Sequence, residues 1–211
     1  MTDERIERFK SVVAERTRHV TIVLENIYQP QNASAVLRTC ECMGVQDIHL
    51  IESINPYQVN KDVLRGSNLW LTLHRYRKQS NPVEACVNSL KSSGYRIVVT
   101  SPHHEGNTPD DLLLDRKTAI VMGTEGEGIS SEMMKHADGF LKIPMYGFTE
   151  SMNISVSAAI ILNRIVGRMK LSDVDWRLTE NEKYDLIFEW TKKSIKKSDL
   201  LISEFFTKHG E

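Results

Sequence analysis

The sequence predicts an α/β domain: a mainly parallel sheet with helices on both faces. Two observations carry this. Apolar, β-branched segments alternate with helical ones from residue 20 to residue 170, the signature of βα units. "YRIVVTS" and "TAIVMGTE" are near-continuous apolar runs, as expected of strands buried on both faces. A third observation concerns function. Three segments at or near strand ends have unusual polar composition, and in open parallel sheets ligands bind beyond the carboxyl ends of the strands.

The elements follow in order. "ERIERFKSVVAERTR" spaces Ile6, Phe9 and Val13 on one side and predicts a short charged helix. "VTIVLEN" is a strand, and "NASAVLRTCECMG" a helix stopped by Gly44. "DIHLIES" and "LWLTLHRYR" are strands. "PVEACVNSLKSSG" is a helix with Pro82 in its first turn and Gly94 at its end. After the two apolar strands come a short helix, "SEMMKHAD", a strand, "GFLKIPM", and a long helix, "SMNISVSAAIILNRIVGRMK". Thr179 and Glu182 form a capping box that opens a last helix with Tyr184, Ile187, Phe188, Thr191 and Ile195 on one face.

The chain has 211 residues, 40% hydrophobic and 26% charged, with a formal net charge of −1. No global field draws it to nucleic acid or membrane, so any polyanion site must come from local clustering. Its longest apolar stretches fall short of a membrane span. The charged opening "MTDERIERFK" is not a signal peptide. Three cysteines make no disulfide framework, and a cytoplasmic location is expected.

Three loops stand out. "GTEGEG" (123–128) follows an apolar strand and precedes a helix. Glycines there either let backbone N–H groups approach a ligand or simply make a turn. The spacing is neither that of a dinucleotide fold nor that of a phosphate loop. "NASAVLR" puts Asn32 and Arg38 early in a helix, where Arg38 alone reads equally as a surface ion-pair residue. In "SMNISVSAA", Ser151 is either a site residue or a helix N-cap. The small residues Ser155, Ala158 and Ala159 permit close packing, and apolar Ile161, Leu162, Ile165 and Val166 suggest a dimer face or a core helix. No cysteine or histidine pattern has metal-ligand spacing. "SPHHEGN" reads as a solvated loop.

Together the loops are far more specific than any one alone. Asn32 and Arg38 with Gly44 after them, Gly123-x-Glu125 at mid-chain, and Ile-Pro-Met followed by Ser151-x-Asn153 resemble the three motifs of the SpoU/TrmH family. These are RNA 2′-O-ribose methyltransferases of the SPOUT class. The likeness spans residues 20–170, with "RGSNLW" fitting a further family segment. It implies a deep C-terminal trefoil knot, a homodimer, S-adenosyl-L-methionine as cofactor and no metal. By the same resemblance Thr100, Gly123, Ile143, Met145 and Met152 line the cofactor pocket. Arg38 is the catalytic residue, with Asn32, Glu125, Ser151 and Asn153 around it. A guanidinium, with a pKa above ~12, is an awkward base. Stabilising the developing oxyanion is the milder role.

The chain divides into an N-terminal extension (1–19), the methyltransferase domain (20–170) and a C-terminal extension (171–211). Before the first motif there is no room for the separate RNA-binding domain that ribosomal RNA members often carry. The flanks instead hold Arg5, Arg8, Lys10, Arg16 and Arg18, and "TKKSIKKSD" beside Trp190. This layout resembles the TrmH type, which methylates guanosine 18 in the tRNA D-loop. Glu150, where the family usually has Gln, is a departure. A different tRNA position, ribosomal RNA, or a non-catalytic RNA-binding role are the alternatives.

Overall fold

The structure, a computed structural model, describes residues 2–124 and 126–209. Its chain groups into two compact units, Thr17–Trp176 and Met1–Arg16 with Arg177–Glu211. The two flanks, read from the sequence as separate extensions, therefore group together, with boundaries after Arg16 and Trp176.

The larger unit holds β1 (Val20–Glu25), α2 (Pro30–Cys42), β2 (Asp47–Ile51), α3 (Lys61–Leu64), β3 (Thr72–Tyr76), α4 (Pro82–Ser92), β4 (Arg96–Thr100), β5 (Thr118–Met122), α5 (Ser131–Met134), β6 (Gly139–Leu141) and α6 (Ile154–Lys170). The six strands form one sheet in the order β3-β2-β1-β5-β4-β6, and every pairing is parallel. Alternate residues face opposite sides. Ile22, Leu24, Ile48, Leu50, Val98, Ile120 and Met122 pack with α2 and α6. Val23, Ile51, Ile97, Val99, Ala119 and Val121 pack with α4 and α5. The sheet is thus buried on both faces, and all six carboxyl ends lie along one edge.

Local readings changed at several points. The long helix starts at Ile154, because Asn153, not Ser151, is its N-cap: Asn153 Oδ1 accepts the N–H of Ser155 at 2.9 Å. Ala158, Ile161, Leu162, Ile165 and Val166 are all buried in the core of their own chain. That apolar face is used up internally. The short helix α3 was not foreseen, since four residues show no period. It is made by local chemistry: Asn60 Oδ1 accepts the N–H of Val63 at 3.1 Å, and Arg65 closes the turn at φ 46°.

A polar cluster lies on β2 and β3. Arg18 Nε donates to Asp47 Oδ2 at 2.9 Å, and His74 Nε2 lies 3.5 Å from Asp47 Oδ1. His49 stacks on His74 at 4.5 Å and has its Nδ1 2.9 Å from the Tyr76 hydroxyl. Burial pushes the His49 imidazole down to about 4. Burial opposes ionisation of Asp47, but the His74 bond and the Arg18 charge outweigh it and hold the carboxyl below its ordinary value.

The smaller unit contains α1 (Asp3–Val13), α7 (Glu180–Ser194) and α8 (Ser198–His209). Phe9 meets Trp190 edge-on at 5.7 Å, and the Arg16 guanidinium lies 5.5 Å above the same indole. The capping box at Thr179 and Glu182 is present. The buried face of α7 is Leu186 and Trp190. Tyr184 and Phe188, which the sequence places on one face, are 70% and 55% exposed. The helix also ends at Ser194, leaving Ile195 extended. Among the described residues no helix is long and apolar enough to cross a membrane.

Candidate active site

Because the strands are parallel, the segments that follow β4, β5 and β6 leave the sheet at the same edge. There they enclose a cleft of about 370 Å³, within the range of small-molecule sites. Thr100, Gly123, Ile143, Met145, Ser151 and Met152 all line it. Residues separated by about a third of the domain in sequence therefore converge on one cavity.

Each wall has a local cause. Thr100 Oγ1 donates to the Val121 carbonyl at 2.9 Å, tying the ends of β4 and β5. Beyond β5, Thr124 and Gly128 exchange backbone hydrogen bonds of 3.0 and 3.1 Å. This brings Gly128 so close that a Cβ on Gly123 would lie 2.1 Å from its carbonyl oxygen. Gly128 itself has φ +70°, a conformation glycine adopts without strain. The turn is anchored by a residue the sequence reading passed over. Glu25, buried at the end of β1, accepts the Ser130 N–H at 3.0 Å and the Ser130 hydroxyl at 2.6 Å. Ser130 in turn caps α5. Glu25 thus fixes the far end of the 123–130 segment. Glu125 lies outside the described residues.

The floor is apolar: Ile143, Ile154 and Ile161 join Met122, Met134, Met145 and Met152. Polarisable thioethers and branched aliphatics make a surface suited to a flat heteroaromatic ring. The loop read as solvated contributes too. Ser101, Pro102, His103 and His104 line the cleft, as does Glu150. Adjacent histidines in a Pro/Gly loop gave no periodic signal that could have revealed this. Among the described residues no group of three or more His, Cys, Asp or Glu is placed to hold a metal ion.

Asn32, Asn153 and Arg38 do not line the cleft. Asn153 Nδ2 donates to Asn32 Oδ1 at 3.1 Å, and Asn32 Nδ2 donates to Gln29 Oε1 at 3.1 Å. This chain of amides joins the start of α2 to the start of α6, directly beside cleft residue Met152. Arg38, six residues further along α2, is exposed; its Nη1 donates to the Val63 carbonyl at 3.3 Å.

The model of the SpoU rRNA Methylase family matches residues 19–163. A tRNA (guanosine(18)-2′-O)-methyltransferase of Borreliella burgdorferi is 41% identical over 93% of this chain and 88% of its own length. The enzyme of that name from Thermus thermophilus is 30% identical over 91% of this chain and 98% of its own. Among solved structures, the Aquifex aeolicus TrmH/SpoU tRNA modifying enzyme superposes with a TM-score of 0.80 at 27% identity, covering 92% of this chain and 98% of that one. The chain belongs to the SpoU rRNA methylase family.

Proposed function

We propose that this protein transfers the methyl group of S-adenosylmethionine to the ribose 2′-oxygen of guanosine 18 in tRNA. The observation that carries the proposal is the convergence of Thr100, Gly123, Ile143, Met145, Ser151 and Met152 on one cleft. The relatives favour tRNA over ribosomal RNA as substrate. The family model stops at residue 163, whereas the 41% identical tRNA enzyme aligns with 93% of the chain and so takes in part of the flanks.

The cleft fits the cofactor. The close turn at Gly123 exposes backbone to a ligand, and the methionine-rich floor suits adenine. When bound, the cofactor supplies a methyl group already activated by its sulfonium. The chain's own work is alignment and charge. In this reading the Asn32–Asn153 pair holds the ribose beside the cleft mouth. Arg38 stabilises the developing oxyanion and the neighbouring phosphate. Its side chain is exposed and held by one long bond, so turning it toward RNA costs little.

Further parts of the proposal rest on particular surfaces. A homodimer would cover Met152 and Val156, which stay exposed beside the buried face of α6. Sedimentation showing only the 24.1 kDa monomer would remove it. Cys40, Cys42 and Cys86 form no disulfide with one another, which suits a reducing cytoplasm. The trefoil knot would be sought by pulling the chain ends, where a tightened knot leaves the contour short. For tRNA, Lys193, Lys196 and Lys197 are the exposed cations of the C-terminal run. Replacing the three exposed lysines by alanine is expected to weaken tRNA binding and flatten its salt dependence.

The central test is mass spectrometry of tRNA from cells with and without the gene. Loss of 2′-O-methylguanosine at position 18 is expected. Its persistence, with another nucleotide losing its methyl group, would redirect the substrate.

A further inference from the structure

Resting on the reading of the cleft as an S-adenosylmethionine site, we propose that Ser101, His103 and His104 form its subsite for the carboxylate of the methionine moiety. The loop that carries them is built, not merely exposed. Ser101 N–H donates to the Leu141 carbonyl at 3.1 Å, Asn107 N–H to Phe140 at 3.0 Å, and Lys142 N–H to Asn107 at 2.9 Å. The chain after β4 is thereby strapped to β6. The strap requires glycine at 106, where a Cβ would lie 2.4 Å from the Phe140 carbonyl oxygen.

On this strap His104 is fixed twice. Its ring stacks on Phe140 at 4.4 Å with planes 17° apart, and its Nδ1 lies 2.9 Å from Ser101 Oγ. Ser101 Oγ also accepts the His103 N–H at 3.3 Å. The subsite uses the tautomer in which the Ser101 hydroxyl donates to His104 Nδ1. A neutral His104 then carries its proton on Nε2, which becomes a donor. The neighbouring carboxylate does not compete for it: both oxygens of Glu105 are 3.1 Å from Lys142 Nζ.

Charge favours the same assignment. Among the described residues the ionisable groups lining the cleft are His103 and His104 from the strap, Lys142 just after β6, and Glu127 and Glu150 from the other segments. The cofactor carries one carboxylate and two cationic centres, the ammonium and the sulfonium. Its carboxylate belongs with the imidazoles, since Lys142 is already paired with Glu105. Its cations belong with the glutamates.

Two ligands isolate the carboxylate. S-Adenosylhomocysteine has it; methylthioadenosine keeps adenine, ribose and sulfur but lacks the amino-acid end. Calorimetric titration without RNA is expected to show His104→Ala weakening S-adenosylhomocysteine about tenfold, the value of one charge-assisted hydrogen bond. Methylthioadenosine affinity stays within about twofold. His104→Gln, which keeps an N–H donor, restores part of the loss, and Ser101→Ala gives a smaller loss of the same kind. Equal losses for both ligands, or no loss for either, would overturn the subsite while leaving the cleft as the cofactor site. If the wild-type protein bound neither ligand, the cofactor reading itself would fall, and the subsite with it.

Discussion

The two sides of the cleft are made differently. The side formed by 101–107 and 123–130 is pinned along its length by backbone bonds to β6, by the Thr124–Gly128 exchange and by Glu25. Two glycines there sit where any Cβ would strike a carbonyl. The side formed by 143–153 is held, among the described residues, chiefly at its ends: by the Lys142 N–H to Asn107 and by the Asn153 cap and its bond to Asn32. Between those ends Tyr146 and Phe148 are almost wholly exposed. The comparison teaches a division of labour. One wall is preorganised for a ligand, and the other is left able to close on it, which suits a site that must admit two substrates.

The largest expected effect lies on the pinned wall. Gly123→Ala puts a methyl group 2.1 Å from the Gly128 carbonyl, so the turn must open. Loss of S-adenosylhomocysteine binding by roughly a hundredfold or more is expected, equivalent to about 3 kcal/mol. Gly147→Ala, on the other side and with nothing within 4 Å of the new Cβ, should leave affinity unchanged. Similar affinities in the two variants would break the distinction between pinned and open positions.

Arg38 belongs to neither wall, and its substitution separates chemistry from binding. Arg38→Ala is expected to slow methyl transfer roughly a hundredfold or more, about 2.7–4 kcal/mol, with cofactor affinity intact. Single-turnover kinetics on tRNA, alongside titration of the cofactor, read both numbers. Undiminished transfer would take Arg38 out of the mechanism.

Beneath both walls the sheet has its own acid limit. His49 is held neutral, with its folded-state value lowered from 6.5 to about 4. Between those values the unfolded chain binds a proton that the native protein refuses. Stability is therefore full above the ordinary histidine range and is lost as pH falls toward 4, by about 3 kcal/mol. Asp47 and Glu52, whose carboxyls are also held below their ordinary values, extend the loss as pH falls further. Urea unfolding at pH 7 and pH 4.5 measures it. Equal stability at the two values would mean that His49 protonates readily in the fold.

The sheet was legible because its signals are periodic. Six apolar runs with parity toward two faces require a buried parallel sheet, whatever the loops do. Resemblance singled out Thr100, Gly123, Ile143, Met145 and Met152, and these line one cleft. What stayed hidden depends on contacts between distant segments. Glu25 looks like the end of a strand until Ser130 arrives 105 residues later. His104 looks solvated until Phe140 supplies a ring to stack on. The apolar face of α6 suggested a partner because sequence does not show how much of a helix its own sheet and α2 will cover. On α7 the buried residues are Leu186 and Trp190, outside the face that the Tyr184 and Phe188 spacing picked out, because the indole packs on Phe9 and Arg16.

The smallest effect tests the open wall. If 143–153 is free to close, Tyr146 and Phe148 contribute little to folding, because rings in water gain no burial. Tyr146→Ala and Phe148→Ala should each change unfolding stability by less than about 0.5 kcal/mol, as surface substitutions usually do. An aromatic truncated in a core costs about 3–5 kcal/mol instead. The informative arm is hydrogen exchange. Amides of 144–150 should exchange quickly in the free protein and slow when S-adenosylhomocysteine is added, while the bonded amides of Ser101, Asn107, Thr124 and Gly128 are protected from the start. A stability loss of several kcal/mol in either variant would show that the rings are already buried in solution, for example against a second copy. Equal protection of both walls in the free protein would remove the asymmetry altogether.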